Sequence, residues 1–144
     1  MQSILVLCIG NICRSPMAEG LLKYALPGKT VSSAGLSALI GKAADPLAVQ
    51  LMAEQGIDIS AHRAQNISTR LVNEAELILV MDLEQKKHVE TQYASSRGKV
   101  FRLGEFNKMD IADPYREGIE SFRAAYRLID DGVKVFVEQI TQMS

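Results

Sequence analysis

Cys8 and Arg14 are separated by five residues in the run Cys8-Ile9-Gly10-Asn11-Ile12-Cys13-Arg14-Ser15-Pro16. A thiol can act as a nucleophile, and a guanidinium fork matches two oxygens of a phosphate group. The spacing alone is weak. With two cysteines and eight arginines among 144 positions, it arises by chance about one time in nine. Its setting is more informative. Cys8 lies near the end of the apolar run Ile4 to Ile9, and Arg14 precedes Ser15-Pro16, which reads as an N-cap with proline at the first helical position. Gly10 and Asn11 are the residues expected to take left-handed or tight backbone conformations. A loop of this kind turns backbone N–H groups inward as a nest for an anion, and the helix N-terminus adds partial positive charge. Ile9, Gly10, Asn11, Ile12, Cys13 and Arg14 are therefore the expected phosphate-binding residues. A thiolate beneath a bound phosphate is a nucleophile aimed at phosphorus. A nucleotide-binding loop is excluded, because no Lys-Ser/Thr pair follows a glycine here.

Phosphoryl chemistry also needs a proton donor for the leaving oxygen. Asp-Pro occurs twice, so sequence alone leaves two candidates. Asp45-Pro46 is explained as a helix cap, since a helical pattern follows directly. Asp113-Pro114 stands in a long loop before aromatic Tyr115, where the proline keeps Asp113 extended.

The elements that must position these residues follow from hydrophobic pattern. Apolar runs at Ile4–Ile9, Thr30–Ala34, Leu77–Met81 and Lys99–Leu103 read as strands, the first and third unbroken enough to be buried on both faces. Helical stretches run from Ser15-Pro16 to Leu26, from Asp45-Pro46 to Gly56, and from Asp82, with Gln85 as a capping box, to about Tyr93. A final helix begins near Gly118, with Phe122, Tyr126, Ile129, Val133, Phe136 and Ile140 on one face and Gly132 as a mild cost within it. The alternation predicts an α/β fold, a small doubly wound four-stranded parallel sheet with helices on both faces. The phosphate-binding loop falls at the end of strand one. Ligands bind at the carboxyl ends of such strands, and the loops Gly35–Ala44 and Gly104–Glu117 are long enough to belong to a site.

Composition bounds the rest. Sixteen basic against seventeen acidic residues argue against a nucleic-acid partner. Residues 1–144 read as one domain, large enough to bury roughly 68–70% of its unfolded surface without a metal or disulfide staple. Two cysteines and the separated His62 and His88 are too few for a structural zinc site, so no metal or cofactor is expected. With no apolar stretch of membrane-spanning length and no basic leader, the expectation is a cytoplasmic protein with no membrane insertion, monomeric on its polar balance.

The segment Cys8 to Pro16 resembles the signature of the low-molecular-weight protein tyrosine phosphatases. The resemblance runs over the whole chain, through Ser32-Ser33-Ala34-Gly35, Ala61-His62-Arg63-Ala64-Gln65, Leu77 to Asp82 and Asp113-Pro114-Tyr115. It implies hydrolysis of phosphotyrosine through a cysteinyl-phosphate intermediate, without metal. Carried over, Cys8 is the nucleophile, Arg14 the phosphate clamp, and Asp113 the general acid. Ser15 donates its hydroxyl to the sulfur, while Asn11, Ser33 and His62 pin the loop. Tyr115 forms one wall of a ring-accepting slot. Many members carry an aromatic residue on the opposite wall, where Leu39 stands here. An aliphatic wall resembles the bacterial branch encoded with capsule and exopolysaccharide export. The implied partner is then the tyrosine-phosphorylated C-terminal tail of an autophosphorylating kinase.

Cys13 has two readings: packing beneath the loop, or a reversible disulfide with Cys8, which the resemblance favours. His88 reads as part of a solvated helix face, and the methionines read as core. Two rivals remain. An arsenate reductase of the same fold needs further cysteines, and none follows Cys13. A non-catalytic phosphotyrosine-binding or redox module predicts a missing nucleophile or acid, and both are present.

Overall fold

The computed structural model describes residues 2–143. Four strands form one sheet: β1 Ser3–Cys8, β2 Thr30–Gly35, β3 Leu77–Val80 and β4 Val100–Arg102. All pair in parallel, in the order β2-β1-β3-β4, with Cys8 opposite Gly35 and Val6 opposite both Ser33 and Leu79. The chain leaves β1 towards one edge and β3 towards the other. The strand order therefore reverses at this pair, which opens a crevice at their carboxyl ends.

Five helices cover the sheet: α1 Arg14–Ala25, α2 Pro46–Glu54, α3 Thr69–Glu74, α4 Leu83–Gln92 and α5 Ile119–Met143. Alternation along β1 sorts its side chains. Ile4, Val6 and Cys8 pack with α1, α2 and α5, through residues such as Leu22, Leu51 and Phe122. Leu5 and Leu7 face the other way, against Val72 of α3 and Val89 of α4. Cys8 thus enters the site from the thicker side of the core.

The strands lie within a residue of the boundaries expected from sequence, and four departures have physical causes. The first helix starts at Arg14, with Cys13 at the N-cap and no side-chain cap; the Ser15 hydroxyl, expected to cap it, is occupied elsewhere. The six-residue α3 was not expected, being too short to show periodicity, although Ser68 caps it by accepting from Leu71 N–H. Asp82 caps α4 by accepting from Gln85 N–H, but Gln85 Oε1 returns to Met81 N–H instead of closing a box on Asp82. Gly132 is a packing requirement, since a Cβ there would lie 2.6 Å from the Leu103 carbonyl oxygen. Met17, Met52 and Met81 are core as expected, whereas Met109 and Met143 are exposed. Among the described residues, no helix is long and apolar enough to cross a membrane.

Candidate active site

Residues 8–13 form a cup between β1 and α1, and the carbonyls of its first five residues are all held from outside. Cys8 O, Ile9 O and Gly10 O accept from the N–H groups of Leu36, Ser37 and Leu39, at 2.9, 2.9 and 3.0 Å. Asn11 O accepts from His62 Nε2 at 2.7 Å, and Ile12 O accepts from Asp45 N–H at 2.8 Å. In a planar trans peptide the C=O and the following N–H point in opposite directions. Fixing five carbonyls outward therefore turns the N–H groups of residues 9–13 towards the interior of the cup, as an anion nest requires. Close approach makes this possible at Gly35, where a Cβ would meet Ile9 O at 2.5 Å.

Asn11 holds the shape. It alone of the expected pair is left-handed, at φ 60°; Gly10 is not among the positive-φ residues. Its Oδ1 accepts from Gln65 N–H at 3.0 Å, which fixes the amide orientation. Its Nδ2 then donates to Ser15 Oγ at 2.7 Å and to Ser33 Oγ at 2.9 Å. Ser33 in turn donates to Glu19 Oε1 at 2.5 Å. His62 joins the network through Asn11 O and lies 3.8 Å from the same Glu19 oxygen. Asn11, Ser15 and Ser33 are buried and Glu19 and His62 nearly so, where satisfied polar groups rigidify their surroundings.

The network determines what faces the sulfur. Ser15 Oγ accepts from Asn11, so its own proton is free for Cys8 Sγ, 3.0 Å away. Asn11 N–H donates to the same sulfur at 3.3 Å. Two donors thus converge on Sγ. Cys13 differs. No donor reaches its sulfur among the described residues, and burial, with the Asp45 carboxylate second, pushes its thiol well up. Both cysteines are free thiols.

Arg14 is 3% exposed and bridges the cup to the second long loop. One terminal nitrogen donates to Ile111 O at 2.6 Å, and the other lies 3.8 Å from Asp113 Oδ2. Its Nε is buried with no partner, a donor left for an anion in the cup. Asp113 is half-exposed, and its Oδ1 accepts from Tyr115 N–H at 3.1 Å. Tyr115 carries the Arg116 guanidinium over its ring at 5.0 Å.

A cavity of about 180 Å³ rises from this floor, with Cys8 and Arg14 at its base and Leu39, Asp113 and Tyr115 on its walls. Every sequence-nominated residue is in or against the cup, His62 and Ser33 through Asn11, and Cys13 lines the cavity together with Cys8. The sequence assigns no role to Glu19, to the Ile111 carbonyl or to Gln65, although Gln65 closes the segment Ala61 to Gln65. Glu19 pairs with Lys23 one helical turn on, so in sequence it looks like an ordinary surface pair. Among the described residues, no cluster of three His, Cys, Asp or Glu side chains is placed to hold a metal.

Residues 3–144 match the family model described as low molecular weight phosphotyrosine protein phosphatase. The chain is 53% identical over 140 residues to the probable low molecular weight protein-tyrosine-phosphatase EpsP of Ralstonia nicotianae, covering 97% of each. It is 42% identical over 143 residues to the low molecular weight protein-tyrosine-phosphatase Wzb of Escherichia coli, covering 96% of this chain and 95% of that one. Among solved structures, Vibrio vulnificus Wzb in complex with benzylphosphonate superposes with a TM-score of 0.92 at 39% identity, covering 96% of this chain and 98% of that one.

Proposed function

The chain belongs to the low molecular weight phosphotyrosine protein phosphatase family and is a protein-tyrosine phosphatase; on that premise we propose that it works through a phosphoryl group carried on Cys8. The observation that carries this reading is the pair of donors converging on Cys8 Sγ at the floor of a cavity shared with Arg14 and Asp113.

The phosphate of the substrate enters the cup and is held by the inward N–H groups and by Arg14, whose unpartnered Nε completes a fork with a terminal nitrogen. Cys8 thiolate attacks phosphorus as the bond from phosphorus to the tyrosine oxygen breaks. Asp113, on the wall of the slot, gives its proton to that leaving oxygen. Water then attacks the cysteinyl phosphate and passes a proton to the Asp113 carboxylate. The S–P bond breaks, inorganic phosphate leaves, and the Ser15 hydroxyl stabilises the departing thiolate. Leu39 and Tyr115 flank the ring of the substrate.

The whole chain acts as one catalytic domain, a monomer in the cytoplasm, and its substrate is the phosphorylated tail of a bacterial tyrosine kinase that controls exopolysaccharide production. An aliphatic Leu39 wall and similarity to the EpsP and Wzb phosphatases support that assignment. The test is rapid quenching during turnover of p-nitrophenyl phosphate in EDTA, followed by mass spectrometry. A phosphoryl adduct on the peptide containing Cys8 is expected. Turnover that persists in Cys8→Ser without any adduct overturns the mechanism.

A further inference from the structure

A second, larger cavity adjoins the slot on the far side of Arg14. Its volume is about 770 Å³, and Ile9, Arg14, Ser37 and Asp113 line both spaces. We propose that this cavity is the subsite for a cationic side chain, Lys or Arg, standing within three residues of phosphotyrosine on the substrate. The inference rests on the phosphatase reading above and adds a sequence preference to it.

Charge is the first observation. Asp82, Glu84 and Asp110 line the cavity away from the slot, with Asp113 on the shared wall, although the protein as a whole carries a net charge of only −1. Arg14 is the one Lys or Arg lining the cavity, and a bound phosphate commits it. Arg102 neutralises Asp110 from behind, at 3.0 Å. Asp82 caps α4, and Glu84 is exposed and has no cationic partner among the described residues. These two carboxylates face the cavity without a Lys or Arg partner among the described residues, beside the α4 N-terminus and His88.

The second observation is independent of charge. Gln85, 4% exposed, lies in the same wall. Its Oε1 is taken by Met81 N–H at 2.8 Å, which fixes the amide orientation and leaves Nε2 buried without a partner. A buried amide donor without an acceptor is costly in a folded protein. A peptide carbonyl entering the cavity supplies that acceptor.

Geometry joins the two spaces. The slot holds little more than one ring, and the wall shared with the larger cavity gives the flanking peptide a way out over it. Each extended residue advances roughly 3.3–3.6 Å, which brings the neighbours of phosphotyrosine over the larger cavity. A Lys or Arg stem then covers Leu36 while its head reaches the carboxylates.

The experiment compares kcat/KM for phosphotyrosyl peptides bearing Lys, Ala or Glu at the three residues on either side, alongside p-nitrophenyl phosphate, which has no flanks. At low salt the Lys peptide is expected to exceed the Glu peptide by about tenfold, mostly in KM, shrinking to about two- or threefold in 0.5 M NaCl. Glu84→Lys is expected to compress or invert that ratio. In Cys8→Ser, the Gln85 side-chain amide resonance should move on adding the Lys peptide but not on adding inorganic phosphate. Equal rates for the three peptides, in an enzyme that still hydrolyses p-nitrophenyl phosphate, would overturn the subsite alone. A ratio indifferent to Glu84→Lys would overturn its location, and an unmoved Gln85 resonance would remove its hydrogen bond. Failure to hydrolyse p-nitrophenyl phosphate would instead defeat the phosphatase reading beneath it.

Discussion

Cys8 and Cys13 belong to one loop and are withdrawn from solvent almost equally, at 3% and 4% exposure. Their chemistry nevertheless diverges, because different groups face each sulfur. Cys8 Sγ receives the Ser15 hydroxyl and the Asn11 N–H, both aimed by a network that extends to Ser33, Glu19 and Gln65. Cys13 occupies the N-cap position of α1 without making a side-chain cap, and the Asp45 carboxylate joins burial in keeping it a thiol. Burial alone therefore does not make a cysteine inert. On the proposed mechanism, oriented donors decide which thiol is used.

The sharpest way to break this comparison is to exchange each sulfur for oxygen. Cys8→Ser should lower kcat on p-nitrophenyl phosphate by at least ~10⁴-fold, whereas Cys13→Ser should stay within about fivefold of wild type. Comparable losses in the two variants would abolish the distinction. Next in size is Asp113, the proposed acid of the Cys8 step. Asp113→Asn should cost about 10²–10³-fold on phosphotyrosine and less on p-nitrophenyl phosphate, whose leaving group needs a proton less. A smaller effect isolates one donor. Ser15→Ala should lower kcat by about tenfold, with a pre-steady-state burst as breakdown of the cysteinyl phosphate becomes slow. Loss of the burst together with unchanged kcat would mean that the hydroxyl does not serve the sulfur.

The mildest effect concerns pH and Cys13. Its thiol is held protonated above the ordinary value of 9.0, so from about pH 9 upward the unfolded chain loses a proton that the folded one keeps. Stability should fall with rising pH in that range, and Cys13→Ser should flatten the fall in urea titrations at pH 8, 9 and 10. An identical slope in the variant would place the titrating group elsewhere.

Much of this was legible in sequence because it is local. Unbroken apolar residues marked β1 and β3, and Asp45-Pro46 marked the start of α2, where Asp45 Oδ1 accepts from Leu47 N–H as a cap should. Ser15-Pro16 carried the same signature and misled by two residues, since its hydroxyl serves Cys8 and not the helix end. The remainder depends on residues brought together across the fold. Glu19 meets Ser33 from 14 positions away, and Gln65 meets Asn11 across 54. No spacing rule connects them. The cavity beside the slot is likewise invisible in sequence, because α4 and the loops after β1, β2 and β4 form it jointly.

Ile111, two residues before Asp113, is secured on both sides of its backbone: its N–H donates to Met81 O at 2.9 Å and its carbonyl accepts from Arg14 at 2.6 Å. The reach of the Asp113 carboxyl is thus measured from Ile111, not from the end of β4. Insertions or deletions between Gly104 and Asp110 can lengthen or shorten that stretch without moving the acid. A single residue added between Ile111 and Asp113 would put the carboxyl out of register with the sulfur. Variation in length among chains of this kind should therefore accumulate upstream of the staple and stop abruptly at it.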